Sequence, residues 1–413
     1  MLSEEPTATA TTTASPDNSG EMFDALDQSL EASGPNALVD RLISDLEDRK
    51  AYRPLLDALL LKARLELGLP LIPGRTTSSW PETNKTAYEE RYVEAIRNVG
   101  GKLLSSGDIA TAWPYYRAIA EPELVTKAID AFDGDGTDER LHGIVEVAFN
   151  QGANPGKGYE LILKHYGTCS AVTAFEHLPR EEAIRSNCAD RLVRQVHEHL
   201  VANLRGEIEH RGQPLPALGT SIPDLMRGRD WLFADEAYHV DVSHLAATVR
   251  VGPLLQDLAT MSLALELADY GIKLSPKHSY EGDPPFEKVY EDHAVYFRTV
   301  LGIGVDEGIH HFRSKLSTVP LSSTETESEY STDDIITAQV LIGLLARIGR
   351  PGEALDVASE YLGGVADSSL FCPGIAQLAE ESGETGKLAE VARRNGDPVQ
   401  YAMAILRSQQ PKP

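Results

Sequence analysis

Histidines spaced from acidic residues are the side chains of this sequence best suited to chemistry. Glu139/His142, Glu207/His210, Glu236/His239 and Glu307/His310 all follow the pattern Glu-x-x-His. On a helix that spacing sets carboxylate and imidazole on one face, and two such pairs build di-metal carboxylate sites in four-helix bundles. The segment around His239 is the richest, with Asp235, Glu236, His239, Asp241 and His244 beside Trp231 and Tyr238. Glu236, His239 and His244, joined by His293 from a later helix, are the candidate ligands for a divalent transition metal. They would form the centre of a metal-dependent or otherwise histidine-based enzyme. Helix geometry sets a condition on that idea. His239 and His244 are five residues apart, so on an unbroken helix they diverge by roughly 140°. Only a broken helix lets both reach one ion. The competing reading is a polar helix face with His–carboxylate hydrogen bonds.

Other suggestive runs fail on spacing. Gly152–Gly158 imitates a phosphate loop, but it is one residue short between its first two glycines. It also lacks the Ser/Thr that would bind magnesium, and no strand precedes it. A hairpin turn is expected there. Asp133, Asp135 and Thr137 imitate the start of a calcium loop, yet Asp138 stands where the sharp turn wants glycine, and Ile144 where a bidentate Glu is required. Cys169 lies between Thr168 and Ser170, near His165 and His177. A nucleophilic cysteine needs a base in reach and a lowered pKa. With no base assigned, a small buried thiol at a joint between helices is expected. There is no dinucleotide-binding fingerprint, so catalytic residues stay unassigned and no cofactor is expected outside the metal alternative.

The elements that carry these residues are helices. Trp231, Ala234, Tyr238, Val242, Leu245 and Val249 keep a three-and-four spacing, which predicts one continuous helix over 231–249. Elsewhere apolar stripes alternate with Gly/Pro/Asp breaks, and no series of alternating strands emerges. Residues 1–20, rich in Thr and Ala, predict a disordered acidic tail. A helical region over 21–211 follows, then a second over 220–410, with a break at Gly212–Gly219. Trp80, in a Pro-rich loop, is expected to be a packed anchor. Ser322–Asp334 is an acidic insertion whose end, Ser331 with Asp334, has the spacing of a helix cap.

The helical pairs share a signature. Gly100, Leu103, Gly107, Ala112 and Tyr116 recur as a register. It returns in Ala264, Ala268, Gly271 and Pro276, in Gly308, Phe312 and Pro320, and in Leu345, Gly349 and Ala354. This resembles the tetratricopeptide (TPR) repeat, a helical hairpin with small residues where its helices cross. The match covers about half the chain, mostly residues 90–125 and 255–395, with longer spacing than the family's period of roughly 34 residues. The resemblance implies an all-α solenoid of antiparallel hairpins, coiled as a right-handed superhelix, whose groove binds a partner protein or peptide.

Composition narrows the partners. A net charge of −25 argues against binding nucleic acid or an anionic membrane surface, both of which need positive charge. It suits a basic partner. No basic-then-apolar leader opens the sequence, no apolar run approaches the roughly 20 residues of a membrane span, and the three cysteines form no disulfide framework. A cytoplasmic location is expected. The principal expectation is a protein-interaction or scaffold module, with the metal-dependent enzyme as its alternative. Self-association through stacked solenoid ends is a third.

Overall fold

A computed structural model describes residues 19–72, 80–317, 330–363 and 365–409. The tail at 1–18, most of the acidic insertion, and Pro320 lie outside them. Among the described residues the chain is helical throughout, with one isolated bridge between Glu281 and Lys288 and no strand. No described helix is long and apolar enough to cross a membrane. Contacts divide the chain into two compact units, Met1–Gly158 and Tyr159–Pro413.

The first unit contains α1 (Ser19–Ser33), α2 (Pro35–Asp48), α3 (Tyr52–Glu66), α4 (Glu82–Ser105), α5 (Ile109–Ala118), α6 (Glu123–Asp130) and α7 (Leu141–Val145). Each of α1 to α5 packs on the next in sequence. Short turns join most of these helices, and a short turn leaves the following helix as the nearest cover for an apolar stripe. Val99, Leu103, Ala112 and Tyr116 are buried where α4 meets α5. Gly100 makes that approach possible, because a Cβ there would stand 2.7 Å from the Tyr116 ring. Trp80 packs edge-on against Tyr88, centroids 5.2 Å apart. Asp135 accepts the amide and hydroxyl hydrogens of Thr137 (2.8 and 2.6 Å), so the run at 133–138 is a polar turn.

The chain enters the second unit along α8 (Pro155–Glu176), which Gly167 kinks at φ 83°. Then follow α9 (Glu182–His210), α10 (Ile222–Met226), α11 (Val242–Val251), α12 (Leu258–Gly271), α13 (Val289–Val300), α14 (Val305–Arg313), α15 (Thr332–Arg347), α16 (Pro351–Tyr361), α17 (Ile375–Ser382), α18 (Thr385–Arg394) and α19 (Pro398–Ser408). α9 is the longest of them. It buries Ala189, Leu192, Val193, Val196, Leu200, Leu204 and Ile208 on one stripe. It packs on α10, α11 and α12. The turn at 212–219 therefore lies inside the second unit, and the division falls at Gly158 instead. From α12 to α19 consecutive helices again pack on each other. One tie skips several elements: the Arg347 guanidinium donates to the carbonyls of Pro253 (3.2 Å) and Leu255. Ser331 caps α15, accepting the Asp334 amide at 3.1 Å, as its spacing predicts.

The continuous helix expected over 231–249 is not formed. A short 3-10 segment, Asp230–Glu236, ends with Asp235 and Glu236 in left-handed backbone (φ 54° and 62°), and α11 starts only at Val242. Local hydrogen bonding outcompetes the apolar spacing. Asp241 caps α11 by accepting the amides of Ser243 (2.9 Å) and His244 (3.1 Å), and a cap must lie outside the helix it serves. The His239 carbonyl and amide are satisfied by Asn203 (2.7 Å) and the Tyr270 hydroxyl (2.8 Å) instead of by helical partners.

Gly271 on α12 faces the buried Tyr290 ring of α13, and a Cβ there would overlap it. Gly271→Ala is expected to lower the unfolding free energy by about 1–3 kcal/mol through overpacking. That exceeds the helix-propensity gain of about 0.5–1 kcal/mol. Urea denaturation measures the balance, and an unchanged or higher midpoint would mean that α12 and α13 separate at no cost.

Candidate functional site

The candidate metal ligands are dispersed. Glu236 pairs through its carboxylate with Lys277 at 2.6 Å, and its carbonyl accepts His278 at 3.1 Å. His239 rests on Tyr270, with Nδ1 3.1 Å from the hydroxyl, and burial pushes its pKa down. His244 occupies the first turn of α11. His293 is 2 % exposed inside α13, stacked on Phe286 at 4.1 Å. Its Nδ1 lies 2.6 Å from the Val289 carbonyl, and because a carbonyl only accepts, that nitrogen carries the proton. Among the described residues no three or more His, Cys, Asp or Glu gather in a geometry that could hold a metal ion. Glu236, His239, His244 and His293 are therefore not one ligand set, even though the helix between His239 and His244 is broken.

The thiols differ from one another. Cys188 is buried and Cys372 half-buried, and burial pushes both up to about 12. Cys169 is exposed, not buried as its neighbours suggested.

Beside His293, Asp292 is 2 % exposed. It accepts the Lys288 amide (2.8 Å), His311 Nε2–H (2.7 Å) and Lys315 Nζ (2.9 Å). Lys315 also reaches Glu287 and the Pro285 carbonyl. Every group in this cluster has a partner, as a buried charge requires, and the cluster ties α13 to the end of α14.

A different cluster opens to solvent. A cleft of about 580 Å³ lies between the start of α9 and the start of α12, lined by Glu182, Ser186, Asn187, Asp190, Gln256 and Asp257. Its carboxylates are held in place. Gln256 donates to Glu182 at 2.9 Å. Asp190 accepts Arg194 Nε at 2.8 Å and the Thr260 hydroxyl. Asp257 caps α12, accepting the Thr260 amide at 2.9 Å, and pairs with Arg194 at 3.1 Å. The Thr260 amide and then its hydroxyl hold the Asp257 carboxyl below the usual carboxylate range. Thr260, fully buried, is the pin of this arrangement, since it binds both aspartates and accepts from Arg194. Three carboxylates against one guanidinium leave the cleft with a charge of −2. Ser186 and Asn187 add neutral hydrogen-bonding groups to its lining.

Sequence reasoning missed this cleft. Asp190 and Thr260 are separated by 70 positions, and no local pattern joins them. Two short signals were present: Asp190 with Arg194 at ion-pair spacing on a helix, and Asp257 with Thr260 at cap spacing. Comparison with protein-family models, curated proteins and solved structures finds no match to this chain.

Two outcomes are expected. Thr260→Val removes a buried hydroxyl from among three charged partners, Asp190, Asp257 and Arg194, and should cost about 1–3 kcal/mol in urea denaturation, with Thr260→Ser retaining most of the stability. Equal midpoints for both variants would show that the hydroxyl holds nothing. The second concerns His293, which burial depresses from 6.5 to about 4. Between those values the unfolded chain binds a proton that the folded chain does not. Stability should then fall as pH drops through that window and level off below it, by about 3 kcal/mol in all. His293→Phe should flatten this slope in unfolding measured from pH 7 to 4; a slope identical to the parent's would place the proton elsewhere.

Proposed function

We propose that this chain is a protein-interaction module built from TPR-like helical hairpins, stacked antiparallel into a right-handed solenoid. We further propose that it takes a cationic side chain of its partner in the cleft between α9 and α12. The observation that carries the reading is the cleft itself, where three oriented carboxylates outnumber one guanidinium. The packing of consecutive helices supports the hairpin part of the proposal. So does the place of Gly100 and Gly271 at helix crossings, where the repeat has its small residues. Stacked hairpins present extended binding surfaces, and a net charge of −25 steers a basic partner towards them. Three free thiols suit a reducing compartment such as the cytoplasm.

Glu182 is the residue to change, because it is exposed on the cleft and its own bond is to a neutral amide. Peptides bearing central Arg or Lys, with citrulline counterparts as controls, can be titrated against the protein by fluorescence anisotropy at low and high salt. Arg and Lys peptides should bind, weaken with salt, and lose about tenfold in affinity, or about 1.4 kcal/mol, with Glu182→Lys. Citrulline peptides binding equally well, or a Glu182→Lys variant with undiminished affinity, would sink the proposal.

A further inference from the structure

The outward face of α19 is apolar. Val399, Ala402, Met403, Ile405 and Leu406 are all exposed, Val399 by 67 % and Leu406 by 63 %. Ala404 is buried and Arg407 reaches back to Glu380 on α17. At 3.6 residues per turn the five exposed positions cover about 160° of the helix. A helix facing water carries polar residues on that side, and a contiguous apolar face marks an interaction surface.

Charge beside this face identifies its occupant. Arg393 and Arg394, at the end of α18, are exposed and form no ion pair among the described residues. Arg393 lies over the Tyr401 ring at 5.0 Å and Arg394 donates to the Ser359 carbonyl at 3.4 Å. Over residues 385–409 there are four basic side chains (Lys387, Arg393, Arg394, Arg407) and two acidic ones (Glu390, Asp397), a charge of +2 within a chain of −25. α1 is the opposite. It carries Glu21, Asp24, Asp27 and Glu31 with no Lys or Arg, a charge of −4. None of these acids is ion-paired among the described residues. Phe23 and Leu30, one helical stripe, are 61 % and 42 % exposed beside Asp27.

We propose that α1 of one copy docks on α19 of another. Phe23 and Leu30 cover the stripe of Val399, Met403 and Leu406, and Asp24 and Asp27 meet Arg393 and Arg394. Two α19 faces pairing symmetrically would bring arginine against arginine, which like-charge repulsion opposes. The two surfaces of the contact are different, so it propagates from copy to copy into a ring or an open chain.

Sedimentation velocity on the full chain over about 1–100 µM tests this. The mean mass of the parent protein should rise beyond a dimer with concentration. Met403→Glu with Leu406→Glu should remove that rise. Arg393→Glu with Arg394→Glu should weaken association by about tenfold, and so should Asp24→Lys with Asp27→Lys. All six substitutions are at exposed positions, and far-UV circular dichroism checks that helix content is retained. Mixing the last two variants restores opposite charge at every junction of an alternating assembly, so the mixture should assemble at concentrations where each component alone stays dispersed. A monomeric parent across the range overturns the proposal. So does a mixture that stays as dispersed as its components, or a parent that stops at a dimer insensitive to the α1 substitutions.

Discussion

Close approach of neighbouring helices is the constraint on which the rest of this structure depends. Over most of the chain the apolar face of a helix is covered by the next helix in sequence, and α9 is covered by α10, α11 and α12. The cover fits only where one partner gives up its side chain. Gly100 yields to Tyr116, Gly252 to Phe297, Gly271 to Tyr290 and Gly308 to Thr299. The bulky partner fills what the glycine vacates, so interior density is kept. The same packing sets the start of α12 beside the start of α9, and brings Asp257 and Thr260 within reach of Asp190 and Arg194.

Two charged clusters in the second unit show opposite uses of the same residue types. Asp292 is enclosed, and three donors surround it. Its charge is consumed in holding α13 to the residues after α14. The carboxylates of the α9–α12 cleft are oriented by bonds on one side and open to solvent on the other. Orientation without enclosure leaves lone pairs for a visitor, at a smaller desolvation penalty than a buried site imposes.

Helical class was legible in the sequence because apolar spacing and Gly/Pro breaks recur over most of the chain. The Ser331 cap was legible because its partner, Asp334, lies three residues away. The 231–249 segment shows where that legibility ends. Its spacing persists through a stretch that is not helical, because Tyr238 and Val242 keep the rhythm while Asp241 serves the amides after it. Tyr270 and Asn203, which compensate the break, come from other helices. The cleft was illegible for the same reason: its members become neighbours only after α9 and α12 have packed.

Arg347 adds something that sequential packing alone does not supply. Its guanidinium holds the carbonyls of Pro253 and Leu255, more than ninety positions earlier in the chain. A stack held only by adjacent pairs can fray one layer at a time, each layer lost independently of the rest. A strap across several layers makes those it encloses share one fate. Arg347, at the end of α15, is thereby fastened directly to the turn before α12 as well as through the helices packed between them.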